Sequence, residues 1–461
     1  MTTAVPPHLR AAPRGFSWTP LIAAALTAEL ALTVLLVYAP PAFVLVTAVL
    51  IVAVALATAA HFALPAAERE PLLILFGTGL LVRLVVMFVW HYAAISPANP
   101  YGLHARDSFG YDGLGWLVAQ HWRHGQPPRI EFQLVGLTLG YHFTVAAIYT
   151  VAGHVPLLVK TVNVLLSAGL VPLTFLAGRE LAGRRAGLTA AFLIAFWPPV
   201  VFWSVHILKD TAITFLLLLA ALGWIAFARR PRFRTLIAAL GPAIPLAFLR
   251  SYALVFWIVS LAAGLFFIAL RSRRVLPAVA LVLAVAAMGW WAATPQGAQW
   301  IGVQEDLVAK MSAMGGSTDS VFEHVTYTSL QDILVFLPLG FARFLVTPLP
   351  WRVELSSWPE AAGAILRYAL LPFAIVGFLH LFRVKRTATI PIVVFGFLTL
   401  VLYSVAFRGG IPRHWMQFYP YFLVFAATGL PRWPNWPLPV GQRPSSKLGN
   451  RHAEPTFVAL L

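Results

Sequence analysis

The chain contains no cysteine. That excludes disulfides, thiolate nucleophiles and Cys-ligated metal sites, so any segment outside the membrane is held by packing alone. Charge is scarce too: 11% of the 461 residues carry it, with 16 Asp and Glu against 33 Lys and Arg. No Gly-rich phosphate loop opens a helix in a soluble segment, which argues against a nucleotide-sugar enzyme built on a cytoplasmic Rossmann domain.

What the sequence has instead is apolar length. With 60% hydrophobic residues and a mean hydropathy of +0.80, it lies far from soluble averages and reads as a polytopic integral membrane protein. The expected fold is all-α, a transmembrane helical bundle of about 12 to 14 membrane helices by the length of an apolar span. Residues 1–70 hold a basic leader and two spans, 16–38 and 42–63, the first too long for a signal-peptide core and carrying Glu29 at mid-span. Further apolar runs fill residues 71–430, including 71–93, 134–151, 156–177, 186–206, 211–227, 236–249, 253–270, 275–291, 333–346, 361–382, 390–407 and 415–430. Residues 431–461 form a Pro-rich basic tail attracted to anionic lipid.

The net charge of +17 does not indicate nucleic acid, because the basic residues fall in short clusters between apolar runs. Arg179, Arg184 and Arg185; Arg229, Arg230, Arg232 and Arg234; Arg271, Arg273 and Arg274; Arg383, Lys385 and Arg386; and the tail mark the cytoplasmic side. Both termini are then cytoplasmic, and loops 94–133 and 295–332 lie outside with most of the acids. Runs 134–151 and 333–346 break the alternation and read as half-spanning or re-entrant.

The outer loops carry the chemistry. The stretch ARDSFGYDGLGWLVAQHWRHG, residues 105–125, reads as an amphipathic interface helix with Tyr111, Leu114, Leu117, Val118 and Trp122 towards the bilayer, and Trp116 and Trp122 as anchors. Asp107 sits near its N-terminus, where a helix favours an ionised carboxylate. Asp112 faces the other way and reads as either solvated or supporting the site from behind, with a direct role as the alternative. Lys209 and Asp210 open a later span, with Lys snorkelling or an ion pair as the plain alternative. Arg408 and Arg413 flank another on the outer side, where Arg is disfavoured unless it has work to do. Arg250 with Tyr252, and Arg343 with Arg352, are second-rank phosphate candidates. His206 and His414 lack ligand spacing and read as hydrogen-bonding residues.

These residues resemble the GT-C superfamily of membrane glycosyltransferases, the group of protein O-mannosyltransferases and aminoarabinose transferases. The likeness spans residues 71–430. It rests on Asp107, Tyr111 and Gly125 in the first outer loop, with Gly115 at a small-residue position. It continues through Trp197-Pro198 leading to Trp203-Ser204 and Lys209-Asp210, Pro348-Leu349-Pro350-Trp351 after Arg343-Phe344, and Arg408 to Arg413 before Tyr419-Pro420. The two spans before residue 71 and the lack of a large soluble outer domain depart from the usual pattern.

The resemblance implies transfer of a sugar from a polyprenyl-phosphate or polyprenyl-diphosphate donor to a lipid, glycan or protein acceptor, at the outer face of a bacterial-type plasma membrane. Asp107 would be the general base. Lys209, Arg408 and Arg413 would hold the phosphate, Asp210 would orient the acceptor or hold Lys209, and Tyr111 and Asp112 would complete the substrate site. The metal question stays open, with a divalent cation bridging donor and Asp107 as one option. Two other readings remain: a polymerase or ligase of lipid-linked glycans, and a transporter or flippase using the buried charges Glu29, Arg83 and Lys160.

Overall fold

The computed structural model describes residues 66–127, 139–272, 287, 330–349, 358–406 and 412–431, all within the compact unit Ala59–Leu461. The spans expected at 16–38, 42–63 and 275–291, Glu29, Arg352, Arg408, most of loop 295–332 and the tail from 432 lie outside the described residues. Within them the protein is an all-α polytopic bundle with no strand.

In chain order the α-helices are α1 Ala66–Ala93, α2 Arg106–Arg123, α3 Gly140–Ala152, α4 Pro156–Ala182, α5 Arg184–Ala195, α6 Pro198–Ser204 and α7 Asp210–Arg229. They continue as α8 Phe233–Leu240, α9 Leu246–Leu249, α10 Ser251–Ser272, α11 Leu330–Val346, α12 Trp358–Val384, α13 Arg386–Ala406 and α14 Tyr419–Gly429. Six of these helices are long and apolar enough to cross a membrane, seven if the bent pair α5 and α6 is one span. Runs 134–151 and 333–346, which disturbed the alternation, become α3 of 13 residues and α11 of 17 residues, both too short to join that set.

Helix α4 is the most enclosed of the long helices, and α12 is the least. Close approach is bought by small residues: a Cβ on Gly178 would lie 2.8 Å from Gly187 Cα, and one on Gly429 would lie 2.8 Å from Gly377 N. Without water to drive helices together, such backbone contacts supply the van der Waals attraction.

The bend between α5 and α6 is 52° and has a visible chemical cause. Pro198 and Pro199 have no N–H, so the carbonyls four residues earlier, Ile194 and Ala195, lose their helical donors. Arg83 on α1 supplies both: Nη2 donates to Ile194 O at 3.0 Å and Nη1 to Ala195 O at 2.7 Å. Its Nε donates to Ser167 Oγ and Nη1 also to Gly79 O. The buried guanidinium is thus spent on backbone repair.

The bundle has two chemically distinct ends. At one, Arg179 pairs with Glu68 at 2.8 Å and with Glu180 at 3.1 Å, and Arg229 pairs with Glu180. The other carries the end of α1, the starts of α4, α7 and α10, and helix α2. The run 236–249, expected as a plain span, is a broken one: α8, a 3₁₀ turn Gly241–Ala243, and α9. It still returns the chain to the second end, because Arg250 bonds Asp210.

Two side chains tie the connecting loops to that end. Lys160 Nζ donates to Gly102 O at 2.6 Å, and position 102 requires glycine both for its positive φ of 58° and because a side chain there would strike His91. Asn163 Nδ2 donates to His206 O and Leu208 O, fixing the approach to Lys209.

Candidate active site

Helix α2 is seated on α3 by a row of small residues. Ser108, Asp112, Gly115 and Ala119 recur at helical spacing and form its buried face, and a Cβ on Gly115 would come within 2.9 Å of Val145 Cβ. Arg123 completes the seat by capping α3, donating to Tyr149 O at 2.7 Å and Thr150 O at 3.0 Å. This corrects part of the expected orientation. Val118 is buried with the small residues, because α2 packs on a protein helix where closeness outweighs apolar bulk, while Leu117 and Trp122 stay exposed, as side chains facing a bilayer would.

Asp112 is therefore not on a solvated face. It is buried and accepts hydrogen bonds from the Tyr149 hydroxyl and from His154 Nε2 at 3.0 Å. His154 in turn stacks on Trp116 at 4.8 Å. The sequence signal for this role was present in Ser108, Gly115 and Ala119, whose spacing puts Asp112 in their midst.

Asp107 and Tyr111 lie one turn apart on an adjoining side of α2. Asp107 Oδ2 meets Arg413 Nη1 at 2.7 Å, with the carboxylate side chain 41% exposed and the guanidinium side chain 17%. Two residues about 300 positions apart in sequence, singled out separately, thus form one ion pair. Arg413 Nε is buried with no acceptor among the described residues. Burial opposes its charge, but Asp210 and Asp107 outweigh burial and hold the guanidinium charged above its ordinary range.

Lys209 lies 5.9 Å from the centre of the Tyr111 ring and has no ion pair among the described residues. Burial, then the neighbouring Arg250, pulls its ammonium down to about 8. Tyr111 also packs against Tyr141 at 4.9 Å and His142 at 4.8 Å. Burial first, then Asp210, pushes the Tyr111 hydroxyl far above its usual value, so it stays protonated. Burial and Lys209 lower His142 to about 4, leaving it neutral at neutral pH.

The option that Asp210 holds Lys209 gives way to a different pairing. Asp210 Oδ1 accepts from Arg250 Nη2 at 2.9 Å, because Arg250, at the turn into α10, presents a planar fork that the flexible Lys does not. Arg250 Nη1 donates to the Tyr403 hydroxyl at 2.9 Å, Gln417 Nε2 donates to it at 2.6 Å, and the Tyr252 hydroxyl lies 2.8 Å away. His414 stacks on the Tyr403 ring at 4.1 Å. Tyr403 thereby anchors the 3₁₀ stretch Pro412–Gln417 that carries Arg413. Tyr403 and Gln417 escaped the sequence reading because both sit in apolar surroundings with no motif; Arg250 and Tyr252 were marked only as second rank.

Four segments, α2, the start of α7, the turn into α10 and the 3₁₀ stretch, thus bring together Asp107, Tyr111, Lys209, Asp210, Arg250 and Arg413. Three cations face two carboxylates, which leaves a cationic surplus suited to an anion. His206 and His414 take the plain roles expected of them: His206 Nδ1 bonds Phe202 O at 2.8 Å, and His414 stacks. Among the described residues no group of three or more His, Asp or Glu is placed to hold a metal ion. No protein-family model matches the chain, and no curated protein matches it.

Proposed function

We propose that this protein is a membrane glycosyltransferase of GT-C type, moving a sugar from a polyprenyl-phosphate donor to an acceptor at the outer membrane face. The observation that carries the reading is the half-exposed Asp107 carboxylate held 2.7 Å from Arg413, beside a Lys209 with no ion pair among the described residues. Such a pair places a proton acceptor next to cations, which sugar transfer from a phosphate requires.

In this mechanism Asp107 takes the proton from the acceptor hydroxyl or amine as that atom bonds to the anomeric carbon. The bond from the anomeric carbon to the phosphate oxygen breaks, and its electron pair stays on the phosphate. Arg413 and Lys209 neutralise the charge that develops there. Arg250 stands behind them, fixed by Asp210.

Sidedness supports an outward site, because the clusters Arg179 to Arg185 and Arg229 to Arg234 belong to the opposite end of the bundle. The repair role of Arg83 and the loop-tying role of Lys160 weigh against a transport pathway, for which both had been candidates.

The test is transfer by purified protein in lipid nanodiscs, using a panel of polyprenyl-phosphate hexoses and pentoses and following release of polyprenyl phosphate. Asp107→Asn is expected to abolish transfer while leaving yield and melting temperature unchanged. Near-normal activity of that variant would overturn the assignment of the base.

A further inference from the structure

Beside Tyr111 lies an imidazole that the protein leaves uncommitted. His142 on α3 packs its ring 4.8 Å from the Tyr111 ring, and Lys209 lies 5.9 Å from the centre of that same Tyr111 ring. His142 is only 9% exposed, yet it makes no hydrogen bond to any described residue. Nδ1 is enclosed without a partner, whereas Nε2, at the tip of the ring, is not sealed off.

Burial first, and then Lys209, keeps this imidazole neutral at neutral pH. A neutral imidazole offers one N–H and one bare nitrogen. Enclosing such a group without partners costs free energy unless a ligand supplies them. The neighbouring groups are already matched to other parts of the reaction: Lys209 and Arg413 suit the phosphate, and the half-exposed Asp107 suits the acceptor. A donor whose phosphate rests at Lys209 has its sugar against Tyr111, within reach of α3. A sugar hydroxyl both donates and accepts, so it fits the imidazole in either tautomer, while a phosphate oxygen is better served by the cations.

We propose that His142 is a specificity-determining residue, hydrogen-bonding a hydroxyl of the transferred sugar through the tip of its ring, an inference that rests on the glycosyltransferase reading above. The site is then divided by charge: cations for the phosphate, Asp107 for the acceptor, and the neutral pair Tyr111 and His142 for the sugar. No proton is transferred at His142.

The experiment uses the full chain in nanodiscs and the polyprenyl-phosphate sugar that the native protein transfers best. His142→Phe keeps an aromatic ring and removes both nitrogens. It is expected to lower kcat/KM for that donor about three- to tenfold, the weight of one hydrogen bond, and to leave binding of sugar-free polyprenyl phosphate unchanged. His142→Gln, which keeps a donor and an acceptor, should lose less. Monodeoxy versions of the donor locate the partner hydroxyl: its removal should cost the native protein the same factor and cost His142→Phe nothing further. Native rates in His142→Phe overturn the proposal. So does a loss additive with every deoxy position, which would indicate ring packing alone, and so does an equal loss of polyprenyl phosphate binding. Failure of the native protein to transfer any sugar instead sinks the glycosyltransferase reading, and this inference falls with it.

Discussion

Asp107 and Asp112 stand five residues apart in one helix and meet opposite fates. Asp107 keeps part of its surface and pairs with Arg413, whereas Asp112 is enclosed by Tyr149 and His154. Asp112→Asn keeps one acceptor oxygen but turns an NH2 towards the second donor, so it is expected to lose stability, by about 1–3 kcal/mol for a compromised buried hydrogen bond, and to leave residual transfer. A scan of melting temperature with single-turnover transfer separates the two carboxylates; equal total inactivation with unchanged melting would refute the structural role of Asp112. Lys209 makes a pH prediction. Its folded value of about 8 lies below the ordinary 10.5, so the ammonium is present below about 8 and lost as pH rises through it. Because the charged form would hold phosphate, kcat/KM for the donor should be level up to about pH 8 and fall above it. Lys209→Arg should remove the fall, since Arg stays charged across that range. At this scale the sequence marked the charged residues well, since charge is rare in an apolar chain. The small residues around Asp112 carried the signal that it would be buried, but its hydrogen-bond partners, Tyr149 in α3 and His154 in the loop after it, were not legible.

Among elements, α2 was legible in its extent and opaque in its rotation. Residues 105–125 were expected to form the helix, and α2 runs Arg106–Arg123 with Gly125 at a positive φ of 67°. Its rotation follows the small residues, a preference that apolar periodicity does not report when the facing surface is another helix. Gly115→Leu should therefore lift α2 off α3, lowering stability by about 1–3 kcal/mol of overpacking and lowering transfer more than polyprenyl phosphate binding. Val145→Ala in the same chain should recover part of both losses, a double-mutant cycle that an uncoupled pair would not reproduce. Residues 186–206 were read as one apolar run, although Pro198-Pro199 carries the signal for the break between α5 and α6, and the remedy for that break was not legible. Arg83 lies more than a hundred residues earlier, and a buried Arg in an apolar run reads first as a functional charge.

For the whole molecule, composition established the membrane bundle, and the basic clusters predicted which ends belong together. Arg179 and Arg229 do share one end through Glu180, while Asp107, Lys209, Arg250 and Arg413 share the other. What the alternation of spans could not handle were the elements of intermediate length, α3, α8 with α9, and α11, whose paths depend on packing and not on hydropathy. The absence of native cysteine gives a clean topology test. Gly110 on α2 is exposed with nothing near its Cβ position, so Gly110→Cys should react with an impermeant maleimide added outside intact cells, and Arg230→Cys should react only after permeabilisation. The reverse pattern would turn the site to the cytoplasm.

The patch that Arg83 places on the broken span has a consequence for descent. A lineage that keeps Pro198 and Pro199 leaves two carbonyls orphaned in every generation, and natural selection cannot discard the arginine that serves them. Where the prolines give way to residues with an N–H, the arginine loses its purpose and becomes an expensive relic. Among relatives of this protein, the three positions are expected to be inherited as a set and lost as one.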